Sequence, residues 1–162
     1  MGWAMLFLSA CTFSAPQFES ALSLAKSIGQ AGAEDSEQAA VWLASVNGQG
    51  AVLTPYDSEG FVVFANTDGD AIAFDGWIIR SVVGFGLNAP VSITGKDGDR
   101  VFTVGGSAFR GSCSPWVWQA LVWRQDCDHG ASEIVLDESG NIQKISMALG
   151  PRLGVVALQV AD

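Results

Sequence analysis

The chain has 162 residues, 49% of them hydrophobic and only 15% charged, with eight Lys and Arg against 17 Asp and Glu and a formal net charge of −9. This length favours one domain with a single sizeable core, and the hydrophobicity excludes a disordered chain. A balance this acidic repels phosphate backbones and offers no basic patch to anionic headgroups, so neither nucleic-acid binding nor electrostatic membrane attachment is expected.

Residues 3–8 form a short apolar run, Trp-Ala-Met-Leu-Phe-Leu, followed at once by Ser9-Ala10-Cys11. An apolar stretch ending in small residues has the form of a secretory signal and its cleavage site, and it is far too short to span a bilayer. Leu8-Ser9-Ala10-Cys11 resembles a bacterial lipobox, in which the Cys thiol receives a diacylglyceryl group and becomes the new N-terminus. The lipid chains bury methylenes at about 0.8 kcal/mol each, and two or more chains anchor stably. No Lys or Arg precedes the apolar run, which points to a start further upstream. The competing reading is a buried apolar N-terminus with a free thiol. On the lipobox reading, residues 1–10 are a signal peptide, 11–16 a lipid-anchored tether, and 17–162 a single β-rich domain. Thr12 rather than Asp after the Cys agrees with outer-membrane sorting, with the protein facing the periplasm.

Phe18, Leu22, Ala25 and Ile28 recur at near-helical spacing between Pro16 and Gly29, which predicts one amphipathic helix over about residues 17–28. From Val41 the pattern becomes β. Residues 41–46 end at Asn47-Gly48, a hairpin signal, with 51–54 as the partner strand. Further strands are predicted at 61–65, 71–74, 77–83, 91–94, 100–104, 116–124, 133–136, 142–147 and 154–160. They are separated by turns such as Asp57-Ser-Glu-Gly60, Asp75-Gly76, Lys96-Asp-Gly-Asp99 and Asp137-Glu-Ser-Gly140. About ten short strands at this spacing predict a mainly β fold, an antiparallel meander forming a sandwich or partly open barrel with one short N-terminal helix.

The cysteines are Cys11, Cys113 and Cys127. With Cys11 lipidated in an exported chain, Cys113 and Cys127 are left to pair, and a loop of this size contributes about 3 kcal/mol in the chain-entropy model. Two buried thiols are the alternative. The stretch 116–124 carries Trp116, Trp118 and Trp123. Read as one strand, it puts Trp116 and Trp118 on one face and Trp123 on the other. These indoles serve either as core packing or as contacts for a glycan or partner. Asn66-Thr-Asp-Gly-Asp70 lacks the remaining ligands of a calcium loop and reads as a hairpin turn, as does Asp97-Gly98-Asp99. The single histidine, His129, lies in a polar turn, no Gly-x-Ser-x-Gly elbow is present, and nothing singles out a pair of the 17 acids for hydrolysis. No enzyme activity, metal or cofactor is therefore expected. Arg80, on an otherwise apolar strand, requires a carboxylate or carbonyl partner, in this chain or on another protein.

The stretch Asp75-Gly-Trp-Ile-Ile-Arg-Ser-Val-Val-Gly-Phe-Gly-Leu87 resembles the Gly-hydrophobic-Arg-Thr-x-Gly-Leu-Gly element of the YjbF/GfcB family of group 4 capsule polysaccharide lipoproteins. Ser139 to Gly154, with Gly150-Pro151-Arg152 before the last strand, is similar to that family's closing element. The chain departs from the pattern at Ser81, where Thr is usual, and in the order Gly84-Phe85-Gly86. The resemblance implies an outer-membrane lipoprotein working beside polysaccharide export proteins. It brings no catalytic residues, and Arg80, Arg152 and the Gly150-Pro151 corner take structural or partner-facing roles. Two alternatives accompany it: a glycan-binding module using the Trp faces, and a lipid or lipoprotein carrier with a half-open apolar barrel.

Overall fold

The structure is a computed structural model that describes residues 40–95, 98–151 and 153–161. Cys11, the signal and tether segments and the 17–28 helix expected from the sequence lie outside the described residues, as does Arg152. Among the described residues the fold is all β: thirteen strands form one antiparallel sheet. They are β1 (Trp42–Val46), β2 (Gln49–Ser58), β3 (Phe61–Ala65), β4 (Ala71–Phe74), β5 (Ile79–Val83), β6 (Val91–Gly95), β7 (Asp99–Val104), β8 (Ser107–Ser112), β9 (Val117–Gln119), β10 (Val122–Cys127), β11 (Gly130–Leu136), β12 (Ile142–Ala148) and β13 (Val155–Val160).

The first hairpin shows how local chemistry sets the register. Asn47 and Gly48 sit at φ 49° and 80°, and Val46 pairs with Gln49. This is the two-residue turn with both φ positive, whose twist matches that of the flanking strands. It aligns Trp42, Ala44 and Val46 on the inner face, all buried, while Leu43 and Ser45 face out. A slip of one residue would exchange those faces and expose the core.

Neighbours in the sheet are neighbours in sequence, except that β1 pairs with β13, from Trp42↔Val160 to Val46↔Val156. Two chain segments turn the corners. β2 pairs with β1 through Gln49 to Leu53, then with β3 from Thr54 to Ser58. β8 pairs with β7, and the chain then runs on through β9, which pairs with β10. Between them Cys113 bridges Cys127, Ser114 N donates to Asp126 O at 2.7 Å, and Asp128 N donates to Ser112 O at 3.0 Å. One run of chain thus borders both ends of the sheet, which curls into a flattened, partly open barrel. Strands that change sheets in this way are how orthogonally packed β layers make corners.

The space between the two faces is filled by their own side chains. Val46, Leu53, Ile72, Phe74, Ile79, Ile145, Met147 and Leu158 are all at most 1% exposed. The faces meet where Ile79 N donates to Met147 Sδ at 3.2 Å and where Trp42 packs edge-on against Phe64 at 4.8 Å. Each such aliphatic side chain contributes about 1.5–3 kcal/mol. At the seam the 1%-exposed guanidinium of Arg100 reaches from β7 to Gln125 Oε1 on β10 and, at 3.2 Å, to Ser132 Oγ on β11. Gln125 Nε2 in turn donates to Ser114 O at 2.7 Å.

Two sequence expectations are corrected. Residues 116–124 are not one strand: β9 and β10 are a hairpin turning at Ala120 and Leu121, at φ 47° and 66°. Its register sets Trp118 opposite Trp123, so these two share a face and are not on opposite ones. Directly opposed residues of an antiparallel pair point the same way. The strand β8 was also not expected. Its Ser-Ala-Phe-Arg-Gly-Ser sequence alternates too weakly to be read, and β7 holds it in place by six residue pairs.

Candidate functional site: an aromatic end of the barrel

In the half of the sheet built from β10 to β13 and β1, strand alternation puts the turns 119–122 and 136–142, the start of β1 and the finish of β13 on one side; in the other half it puts the turns 58–61 and 74–79 on one side, and ring contacts bring Trp77 of the 74–79 loop to the β9–β10 hairpin. There Trp77 packs against Trp116 at 5.7 Å and against Trp123 edge-on at 5.2 Å, and Trp118 lies 5.1 Å from Trp123. Trp77 is 45% exposed and Trp118 44%, while Trp116 and Trp123 are half-buried against the core.

Each tryptophan has a local cause for its position. Trp77 sits in the β4–β5 loop, whose shape is set by Asp75. Oδ1 of Asp75 accepts the backbone N–H of Trp77 at 2.9 Å and of Ile78 at 2.6 Å, while Oδ2 pairs with Arg80 Nε at 2.6 Å. Arg80 Nη1 also donates to Gly95 O at 2.8 Å. The requirement for a carboxylate or carbonyl at Arg80 is thus met twice within this chain. Trp118 and Trp123 are fixed by the hairpin. Its outer side is held by Arg124, which pairs with Glu133 at 2.8 Å and with Asp126 at 3.0 Å. Exposed ion pairs of this kind are worth at most about 1 kcal/mol each. Trp116 precedes β9, and its buried Nε1 has no hydrogen-bond partner among the described residues.

Cys113 and Cys127 are joined as a disulfide with Cα atoms 4.0 Å apart, on the seam between β8 and β10. The pairing expected from the sequence is therefore present, and it ties together two sheet ends rather than two neighbours within a sheet.

The other residues weighed from sequence lie away from the aromatic end or are engaged locally. In the 66–70 turn, Asn66 Oδ1 accepts from Asp68 N and Asp70 N at 3.0 Å each, and Asp70 Oδ1 accepts Phe85 N at 2.6 Å. This carboxylate organises backbone, and Gly84 must pack directly on it. A Cβ at Gly84 would stand 2.8 Å from Asp70 Cα and from Gly69 O, and closer still to Oδ1, at φ 82°. His129 packs edge-on to Phe102 at 6.0 Å, with Nε2 3.4 Å from Arg110 O. Among the described residues no group of three or more His, Cys, Asp or Glu is placed to hold a metal ion.

Two surface depressions lie among the described residues. One, of about 370 Å³, lies beside the Trp77 loop and is lined by residues from Asp57 to Val62 and by Phe74, Asp75 and Gly76. The other, of about 240 Å³, is at the opposite end of β7 and β8 and is lined by Val104, Ser107, Phe109, Leu149, Pro151 and Leu153.

Trp77 was not singled out by sequence reasoning. The available signal was Asp75-Gly76, which marks the turn but not the partners across the barrel. Arg100, Gln125 and Ser132 gave no signal at all, because nothing local says that a strand arginine points inward.

The fold defines a class: an antiparallel meander curled into a half-barrel. A solved structure of this kind is the hypothetical lipoprotein YmcC from Escherichia coli (K12), to which the chain is similar over 94% of its own length and 98% of that chain, with a TM-score of 0.55 and 12% identity. No family model matches the chain, and no curated protein matches it.

Proposed function

We propose that this protein is a non-catalytic lipoprotein, anchored through an acylated Cys11 to the periplasmic side of a bacterial outer membrane, where it assists capsule or exopolysaccharide export. The observation that carries the reading is the Leu8-Ser9-Ala10-Cys11 box ahead of a fold like that of a lipoprotein over nearly the whole length of both chains. The Cys113–Cys127 disulfide supports it, since such bonds persist in oxidising compartments such as the periplasm. So does the resemblance of residues 75–87 and 139–154 to capsule polysaccharide lipoproteins.

Within 75–87, residues that carry this resemblance have structural roles. Asp75 and Arg80 shape a loop, and Gly84, Phe85 and Gly86 are three successive residues with positive φ. The export partner therefore reads the surface these elements display. The glycan-stacking alternative is weaker on geometry. The neighbouring indole planes are inclined by 47–77°, so they make a cluster and not a flat platform for a sugar ring.

The test is made in the native host. Mass spectrometry of the purified protein is expected to show an N-terminal, acylated Cys11. Cys11→Ser is expected to release the protein from the membrane fraction and to lower surface polysaccharide. An intact start methionine without fatty chains, or export unaffected by loss of the protein, overturns the reading.

A further inference from the structure

We propose that the aromatic end of the barrel is the face that rests on the bilayer, with Trp77, Trp118 and the tip of the β9–β10 hairpin seated at the interface of a zwitterionic phospholipid surface. This rests on the lipid-anchor reading above and goes beyond it by giving the anchored domain an orientation.

Four observations carry it. First, the large hydrophobic side chains that remain exposed are not scattered. Phe61, Trp77, Val117, Trp118 and Leu121 sit in or beside the 58–61, 74–79 and 119–122 turns, while Val41, Leu43 and Val52 lie on or just before the β1–β2 pair and Val155 starts β13. A concentration of this kind marks an interaction surface, whereas single exposed apolar residues need no explanation.

Second, the aromatic members are tryptophans, which suit a headgroup region because the indole joins an apolar body to one N–H donor. Trp77 and Trp118 are about half-exposed, and their rings are inclined to the neighbouring indoles, which suits a soft surface more than a rigid planar ligand.

Third, the chain enters the fold at this end. Residue 40 leads directly into β1, whose first residue Trp42 pairs with Leu53 and Val160. The chain therefore leaves the described fold, at residue 40, on the side of the 119–122 and 136–142 turns and not on the side of the 47–48 turn.

Fourth, charge selects the lipid. The end carries exposed Asp57, Glu59 and Glu138, and the chain as a whole has a net charge of −9. Anionic headgroups repel such a surface. The anchor supplies the affinity, and the indoles set the pose.

The experiment uses the full acylated protein reconstituted into phosphatidylcholine vesicles containing lipids brominated near the headgroup or near the bilayer centre. Headgroup-proximal bromines are expected to quench tryptophan emission about twofold more than central ones, as interfacial indoles require. The double variant Trp77→Phe with Trp118→Phe is expected to lose that difference while co-floating with the vesicles as before. Replacing part of the phosphatidylcholine with phosphatidylglycerol is expected to weaken quenching.

Protein that floats with the vesicles but shows no shallow quenching overturns the orientation and leaves the anchor intact. Protein that does not float at all overturns the anchor reading first. Indoles already shielded from acrylamide in detergent solution, showing that the residues before 40 cover them, overturn the proposal. So does a soluble polysaccharide that protects them with micromolar affinity. An unchanged urea midpoint in the double variant shows that its loss of quenching reflects the surface and not unfolding.

Discussion

Arg80 Nε and Asp75 Oδ2 stand 2.6 Å apart, and the other oxygen of the same carboxylate closes the loop that carries Trp77. One acid thus links an ion pair to a backbone turn. Asp75→Ala is expected to lower stability by about 1–3 kcal/mol in urea titration, because it removes a charged acceptor and leaves two backbone donors to solvent. Arg80→Lys keeps the charge but cannot reproduce the Nε–carboxylate and Nη1–carbonyl geometry, so it is expected to recover only part of the difference from Arg80→Ala.

Gly84 and Gly60 separate steric from conformational demand. Both have positive φ, 82° and 85°, but a Cβ at Gly60 meets nothing within 4 Å, whereas one at Gly84 meets the backbone of the 66–70 turn. Gly60→Ala is expected to cost about 1–2 kcal/mol. Gly84→Ala is expected to cost more than about 3 kcal/mol or to prevent folding, since backbone must move to admit it. Thermal denaturation of both variants, compared by circular dichroism, checks the difference.

The seam disulfide yields a localised prediction. Replacing Cys113 and Cys127 together by Ser is expected to cost about 3 kcal/mol. Amide exchange is expected to accelerate first in β8, β9 and β10, with β1 and β13 protected as before. Uniform acceleration across all strands would show that the seam is part of one indivisible cooperative unit.

Asp137 gives the pH dependence its sign. Its carboxylate accepts N–H groups from the Asn141 backbone, the Asn141 side chain, the Ser139 backbone and the Gln143 side chain, at 2.8 to 3.1 Å. Led by the Asn141 backbone bond, these hold its pKa below the ordinary 3.8. A group lowered on folding stabilises the fold above its unfolded pKa, and that contribution disappears as pH falls through the folded one. Carboxyl NMR is expected to show an Asp137 midpoint below 3.8, and Asp137→Asn to flatten the acid limb of the stability curve.

How far the sequence could be read depends on where the determining chemistry sits. Asn47-Gly48 names its own turn, and Phe61–Ala65 and Ala71–Phe74 match their expected bounds because turn residues flank each of them. The β9–β10 hairpin hid because Ala120 and Leu121 carry no turn signature, although both adopt positive φ. What holds them there is the Trp118–Trp123 pair at 5.1 Å across the hairpin, a contact between residues whose odd spacing reads as opposite faces in a straight strand. The aromatic end shows the same limit. Three of its tryptophans stood out by clustering in sequence, and Trp77 joined them only once β5 lay across from β10.

The pairing of β1 with β13 joins the earliest described strand to the last one. A polypeptide made from its leading end can zip successive hairpins as they emerge, yet its first strand must wait with a bare edge until the final residues arrive. Such an edge is a template for wrong partners. Loss of the last strand would leave β1 and β12 both open, so premature termination near residue 155 is expected to produce aggregates and not a slightly shortened protein. Such long-range closure also slows folding, so the open edge stays exposed for longer.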